Sequence, residues 1–199
     1  MNPARLLFPC VFLLALLTCG GCQKAGGDER LLIAQLSDLH LAPGDEASDE
    51  LLAVIDDINA MGPDLVVVTG DLTHTGSLAE LQHVTGLLSQ LELPWLVLPG
   101  NHETNWSESG GMDWERIFGA DFFFERRGRF LLSGLNTGPF MRMGDGHIRL
   151  QDIRRLSEML SAAKQDHDLL LFFSHYPLSE GLDNGHEIAP ILKNHGQVL

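Results

Sequence analysis

The sequence has no cysteine beyond residue 22, because its three cysteines are Cys10, Cys19 and Cys22. This absence excludes a disulfide framework in the rest of the chain, and it also excludes a metal site built from thiolates. A metal bound by the remaining residues must be held by oxygen and nitrogen atoms, which suit Mn, Fe, Zn and Mg ions.

Positive charge is also scarce. The chain has 13 Lys and Arg residues against 27 Asp and Glu residues, which gives a formal net charge of −14. Such a chain has no basic face along which a nucleic-acid backbone could bind, so nucleic acid is not an expected partner. An anionic small-molecule substrate would need another source of positive charge, and bound divalent cations would supply it.

No apolar run is long enough to span a bilayer comfortably. The longest, from Leu6 to Leu17, has about 12 residues and follows the single charge of Arg5, which is typical of a signal peptide. We predict a signal peptide over residues 1–22, followed by a linker over residues 23–30. The stretch "LLTCGGCQ" resembles a lipoprotein processing site, with Cys19 or Cys22 as the acylated residue. Ordinary secretion and a retained anchor are the alternatives; each predicts an exported protein, in the periplasm or at the cell surface.

From residue 31 apolar strands alternate with amphipathic helices, and the length suits one domain over residues 31–199. Strands that are apolar throughout and separated by helices predict a parallel sheet covered on both faces. Ser48 and Ser77 are the expected helix N-caps, and Glu80 completes a capping box with Ser77. The predicted strands are 31–36, 64–69 and 94–98, and the predicted helices are 48–61 and 77–91.

The second half changes pattern, because two apolar segments flank a short turn at 126–128 and indicate a strand pair. A helix, a buried strand, a helix and the start of another strand follow. The predicted strands are 122–125, 128–135, 168–173 and 196–199, and the predicted helices are 150–164 and 184–195.

Four of the apolar strands are followed by polar side chains of the kind that bind metals. The motifs are "SDLH" with Asp38 and His40, "TGD" with Asp71, "PGNHE" at 99–103, and "SHYP" with His175. Sites in open α/β sheets lie beyond the carboxyl ends of the strands, so these groups are expected to converge. Carboxylate, imidazole and amide ligands suit a pair of divalent ions that share one carboxylate, and Asp71 is the expected shared ligand.

In order, these motifs resemble those of the calcineurin-like metallophosphoesterases, especially the bacterial branch with the class III cyclic-nucleotide phosphodiesterases. The family pattern is D-x-H, G-D, G-N-H-[DE], a later H, and G-H-x-H, and the first four blocks occur here as "DLH", "GD", "GNHE" and "SHYP". The resemblance implies an α/β/β/α fold, a β-sandwich flanked by helices. It also implies hydrolysis of a phosphodiester or phosphomonoester by attack of a metal-bridging hydroxide.

The resemblance further implies roles for individual residues. Asp38 and His40 would hold one divalent metal, Asn101 and His175 the other, and Asp71 both. His102 would face the scissile bond and stabilise phosphoryl oxygens or protonate the leaving oxygen. Glu103 would orient or charge His102, and these two residues form the expected catalytic pair.

The G-H-x-H block is missing, and His195 in "KNHG" does not match it. We therefore expect the chain to be truncated before that block, with the second sheet incomplete and activity of this piece in doubt. The alternative function is a non-catalytic exported lipoprotein whose phosphoesterase-like module binds a ligand or partner. His74 and Tyr176 follow site residues, and for each we weigh substrate contact against an ordinary loop role.

Overall fold

A computed structural model describes residues 30–139, 144–163, 169–195 and 197–198. The predicted signal peptide and all of the predicted linker except Arg30 lie outside the described residues. Among the helices that are described, none has both the length and the apolar character needed to cross a membrane.

The first sheet has three parallel strands in the order β1-β2-β3. A crossover that contains a helix joins each strand to the next one in the sheet, which allows neighbouring strands to run parallel. The elements are β1 (Ile33–Leu36), α1 (Ala47–Met61), β2 (Leu65–Thr69), α2 (Leu78–Leu88), β3 (Trp95–Leu98) and α3 (Met112–Phe118).

The second sheet has four strands in the order β4-β5-β6-β7. Strands β4 and β5 form an antiparallel pair, and β6 and β7 extend the sheet in parallel. The elements are β4 (Phe122–Arg127), β5 (Phe130–Leu135), α4 (Leu150–Ala162), β6 (Leu169–Phe173), α5 (Gly185–Lys193) and β7 (Gln197–Val198).

Alternate residues of β2 show how the layers are stacked. Val66 and Val68 pack into the core beneath α1 and α2, whereas Leu65 and Val67 pack against Leu132 and Leu171 of the other sheet. A strand buried on both faces must be apolar throughout, which explains the unbroken run "LVVV". A third core lies between the second sheet and its helices α4 and α5. The α/β/β/α prediction is confirmed.

Local details both confirm and correct the sequence predictions. Ser77 caps α2 and forms the expected capping box with Glu80. The prediction of Ser48 as N-cap of α1 is wrong: the helix begins at Ala47, and the Ser48 hydroxyl is hydrogen-bonded to Nε2 of His83 at 2.8 Å. Helix α3 was not predicted, because it has only seven residues and follows a glycine-rich loop. A segment this short is too brief to show the spacing of apolar residues that indicates a helix.

Candidate metal centre

The loops that follow β1 and β2 continue side by side beyond the ends of the strands. The backbone N–H of Asp38 donates to the carbonyl of Gly70 at 3.1 Å, and that of His40 donates to the carbonyl of Asp71 at 3.0 Å. These bonds prolong the parallel pairing for several residues. They hold the "DLH" and "GD" motifs beside each other at the carboxyl edge of the first sheet.

Three residues of these loops have left-handed backbone conformations that are uncommon without glycine. The φ angles are 58° at Asp38, 46° at His40 and 49° at Asp71. Such a conformation costs about 1–2 kcal/mol per residue and is found mostly where surrounding structure and function require it. The strain falls on three of the predicted metal ligands, which indicates that the loops are shaped to aim those side chains.

The carboxylate of Asp71 lies at the centre of the cluster and is 7% exposed. Its Oδ2 lies 3.4 Å from Nε2 of His175, 3.7 Å from Nε2 of His40 and 3.8 Å from Nε2 of His102. Its Oδ1 accepts the backbone N–H of His102 at 3.1 Å. One buried carboxylate thus faces three imidazole nitrogens that come from three different strand ends.

Among the described residues, two groups of three side chains each have ligand atoms within 4.8 Å of one another, and both contain Asp71. The first consists of His40, Asp71 and His102, and the second of Asp38, Asp71 and His175. His40 also lies near Asp38, with 3.9 Å between Nε2 and Oδ1. The structure therefore brings all four strand-end motifs together, and the division of the ligands between two metal positions stays a prediction.

His175 reaches this cluster from the second sheet, where it follows β6. Its Nδ1 donates to the carbonyl of Thr69 at 2.8 Å, so Nε2 is the nitrogen that faces Asp71. Burial alone would lower the pKa of His175, but the hydrogen bond and charge of Asp71 outweigh it and raise the pKa. Burial would likewise raise the pKa of Asp71, but the hydrogen bond and charge of His175 outweigh it and lower the pKa.

His102 is oriented by a backbone group that the sequence did not reveal. Its Nδ1 donates to the carbonyl oxygen of His74 at 2.5 Å, which leaves Nε2 pointing towards Asp71. The side chain of His74 is in turn 3.0 Å from Oδ2 of Asp45. The indole of Trp106 lies beside the His102 ring, with 5.2 Å between ring centroids and an angle of 38° between the ring planes.

Glu103 does not make the expected contact with the ring of His102. Its carboxylate is fully buried and accepts hydrogen bonds from the N–H and hydroxyl of Thr73, at 2.9 and 2.7 Å, and from the N–H of Gly100, at 2.9 Å. Burial raises the pKa of Glu103 in spite of these bonds. The residue ties together the loops after β2 and β3, and its role towards His102 stays a prediction.

Asn101 is also buried, with 7% of its surface exposed. Its Oδ1 accepts a hydrogen bond from the hydroxyl of Tyr176 at 2.9 Å. Burial raises the pKa of Tyr176, and the negative charges of Asp71 and Asp145 add to the effect. The loop after β6 therefore contributes both His175 and a hydroxyl group to the site.

Two glycines allow these loops to approach closely. A Cβ atom on Gly70 would lie 2.7 Å from the ring of His175, and one on Gly100 would collide with the Asp71 carboxylate. The glycines of "TGD" and "PGN" are thus required by close packing against a residue from another strand end. Gly70 is also required by the turn, because its φ is 92°.

The donor set fits divalent metal ions. Imidazole nitrogens and carboxylate oxygens surround one buried carboxylate. The Nδ1 atoms of His102 and His175 donate hydrogen bonds to backbone carbonyls, which leaves their Nε2 atoms available to bind a metal. Burial lowers the pKa of His40, and the charge of Asp71 opposes this only in part. A neutral imidazole is the form that binds a metal.

Comparison with known proteins identifies the family of the chain. Residues 31–198 match the family described as calcineurin-like phosphoesterase. The chain therefore belongs to the calcineurin-like phosphoesterase family.

Two bacterial relatives have names that specify phosphodiesters. The chain is 30% identical, over 69% of its length and 54% of the relative's, to a probable glycerophosphodiester phosphodiesterase GpdQ of Arcobacter nitrofigilis. It is 25% identical, over 87% of its length and 72% of the relative's, to a probable cyclic nucleotide phosphodiesterase of Synechococcus. The chain thus spans about half the length of the Arcobacter relative.

Solved structures share the fold. A dimetal phosphatase from Danio rerio superposes with a TM-score of 0.64 at 15% identity, over 84% of this chain and 78% of the other. The purple acid phosphatase PPD1 from yellow lupin seeds superposes with a TM-score of 0.56 at 18% identity, over 73% of this chain and 30% of the other.

Proposed function

We propose that this protein is a metal-dependent phosphoric ester hydrolase that acts on a small-molecule phosphodiester or phosphomonoester. The observation that carries the proposal is the sharing of Asp71 by two groups of potential ligands at the carboxyl ends of the strands. The names of the Arcobacter and Synechococcus relatives favour a phosphodiester as the substrate. The formal charge of −14 supports a site in which cations attract the anionic substrate.

We assign the ligands of the two metals as the family pattern implies. Asp38, His40, Asp71, Asn101 and His175 would hold two divalent ions among Mn, Fe, Zn and Mg. Bound there, the ions would supply Lewis acidity at the phosphoryl oxygens and lower the pKa of the attacking water. Asp71 can serve both positions because its Oδ2 lies 3.7 Å from Nε2 of His40 and 3.4 Å from Nε2 of His175, one ligand of each proposed metal.

His102 would act on the substrate through Nε2. Its Nδ1 is held by the carbonyl of His74, so only Nε2 is available to donate a hydrogen bond to a phosphoryl oxygen or a proton to the leaving oxygen. Glu103 would support this indirectly, because it fixes the loop that carries His102.

Chelation and reconstitution test the proposal. The full-length protein is treated with a chelator, dialysed and assayed with an aryl phosphodiester before and after addition of Mn²⁺. We expect activity to disappear with the metal and to return with it. Equal turnover in the presence and absence of chelator would reject metal-dependent hydrolysis. Metal uptake without any turnover of diesters or monoesters would favour the non-catalytic alternative.

We also propose that residues 1–22 direct export and that Cys19 or Cys22 carries a lipid anchor. The support is the apolar run from Leu6 to Leu17 and the glycines that precede Cys22. Labelling of cells with a radioactive fatty acid tests this, with Cys19→Ala and Cys22→Ala as paired variants. We expect one substitution to abolish labelling; no labelling of the unaltered protein would reject the anchor.

A further inference from the structure

Tyr176 is the only tyrosine of the chain, and it connects the two halves of the site. It follows His175 in the loop after β6 of the second sheet, and its hydroxyl donates to Oδ1 of Asn101 in the loop after β3 of the first sheet. The 2.9 Å between the two oxygens is a well-formed hydrogen bond.

The position of the Tyr176 ring is set by its surroundings rather than by this hydrogen bond. The backbone N–H of Tyr176 donates to the hydroxyl of Thr137 at 3.1 Å. The ring lies edge-on to His175, with 5.1 Å between centroids, and a Cβ atom on Gly146 would come within 2.6 Å of it. The ring is therefore held on several sides, and the hydroxyl is presented to Asn101 from a fixed place.

An asparagine amide has two ends of similar shape, but only the oxygen can bind a cation. The partner of a buried amide decides which end faces which way. A hydroxyl that donates to Oδ1 occupies one of its two lone pairs and leaves the other for a second partner. The bond from Tyr176 thus fixes Oδ1 in place without removing its capacity to bind a metal.

We propose that Tyr176 is a positioning residue for the metal ligand Asn101, selecting the oxygen end of the amide for the metal. This rests on the proposed function, in which Asn101 is a ligand. Hydrogen bonds to ligand side chains from a second layer of residues typically account for about 10- to 100-fold in metal affinity. Tyr176 would therefore affect one of the two metal positions more strongly than the other.

The test uses Tyr176→Phe, which retains the ring and removes only the hydroxyl. Binding of Mn²⁺ alone to the metal-free protein is followed by electron paramagnetic resonance, which reports the free ion, and needs no substrate. We expect two Mn²⁺ ions per unaltered protein and, in Tyr176→Phe, about 10- to 100-fold weaker binding of one of them. Ser48→Ala, which removes the part-buried hydroxyl contact with His83 between α1 and α2, is the control for general destabilisation and should bind Mn²⁺ normally.

The variant Asn101→Asp separates positioning from simple packing. A carboxylate has oxygen at both ends, so its orientation no longer matters to the metal. On this background we expect Tyr176→Phe to cause little further loss of Mn²⁺ affinity. The same loss on both backgrounds, or unchanged affinity in Tyr176→Phe alone, would overturn the inference and leave the proposed function standing. Failure of the unaltered protein to bind Mn²⁺ would overturn both.

Discussion

Glu103→Gln is expected to weaken both the fold and the metal centre, because the Glu103 carboxylate joins two of the loops that form the site. Its oxygens accept three hydrogen bonds, two from Thr73 and one from Gly100, and the side chain has no exposed surface. A glutamine has the same shape but replaces one oxygen by an NH₂ group. If the amide oxygen keeps the hydrogen bonds from Thr73, the NH₂ group faces the N–H of Gly100. Both groups are hydrogen-bond donors, so the bond from Gly100 is lost.

The size of the effect follows from these contacts. A buried donor without a partner costs about 1–3 kcal/mol, and hydrogen bonds to a charged group are stronger than those to a neutral one. Relief of the buried charge offsets part of this loss. We expect a decrease of about 1–3 kcal/mol in the free energy of unfolding, out of the 5–15 kcal/mol that is typical of folded proteins.

Glu80→Gln is the matched control. Glu80 also accepts hydrogen bonds from the N–H and hydroxyl of a threonine, Thr75, but it caps α2. Urea denaturation should show that both variants are less stable, whereas Mn²⁺ titration should show weaker binding only in Glu103→Gln. Two results would refute the role of Glu103 in joining the loops. One is a loss of stability below about 0.5 kcal/mol in Glu103→Gln, which is the usual range for surface changes. The other is normal Mn²⁺ binding by a variant that shows the expected loss of stability.

Three further predictions concern single side chains. Asn101→Ala should lose metal from one position, whereas His102→Ala should keep both metals and hydrolyse an aryl diester about 10²–10⁴-fold more slowly. Elemental analysis and kinetics distinguish the two variants, and loss of metal from His102→Ala would show that His102 is a ligand. Gly70→Ala should weaken Mn²⁺ binding, since its Cβ would lie 2.7 Å from the His175 ring. In the control Gly62→Ala, which also has a positive φ, the added Cβ would have no atom within 4 Å, so this variant should lose stability alone. Equal Mn²⁺ binding by the two variants would contradict the close approach of Gly70 to His175. Burial would raise the pKa of Glu80, but hydrogen bonds from Thr75 and Ser77 outweigh it and lower the pKa from 4.5. The stability difference between the unaltered protein and Glu80→Gln should therefore be present at pH 7 and shrink as the pH falls from 4.5 through the lower pKa of the folded state. A difference in urea denaturation that does not change with pH would contradict this.

The layers of the fold and the convergence of the strand ends were predictable because both follow from short-range patterns. Strands such as β2 are apolar throughout, and their parallel order places Asp71 and the motifs of neighbouring strands at one edge. The capping box of Ser77 and Glu80 was predictable for the same reason, since both partners lie within four residues.

The contacts that were missed depend on tertiary structure. Ser48 has the chemistry of an N-cap, but α1 begins one residue before it, at Ala47. The hydroxyl of Ser48 is instead hydrogen-bonded to His83 of the neighbouring helix α2. The backbone carbonyl of His74 orients His102, and a carbonyl group has no signal in the sequence. Glu103 follows His102 directly, yet its carboxylate is turned towards Thr73 and Gly100, since successive side chains of a turn point in different directions.

The sharing of Asp71 by two metals is tested most directly by counting the metal ions bound to the protein and to Asp71→Asn by native mass spectrometry after reconstitution with Mn²⁺. Asp64→Asn is the control, because Asp64 precedes β2 and its carboxylate accepts the N–H of Leu32 away from the metal centre. We predict two ions in the unaltered protein and in Asp64→Asn, and severe loss of both in Asp71→Asn. Two ions in Asp71→Asn, or the loss of only one, would contradict a carboxylate shared by two metals.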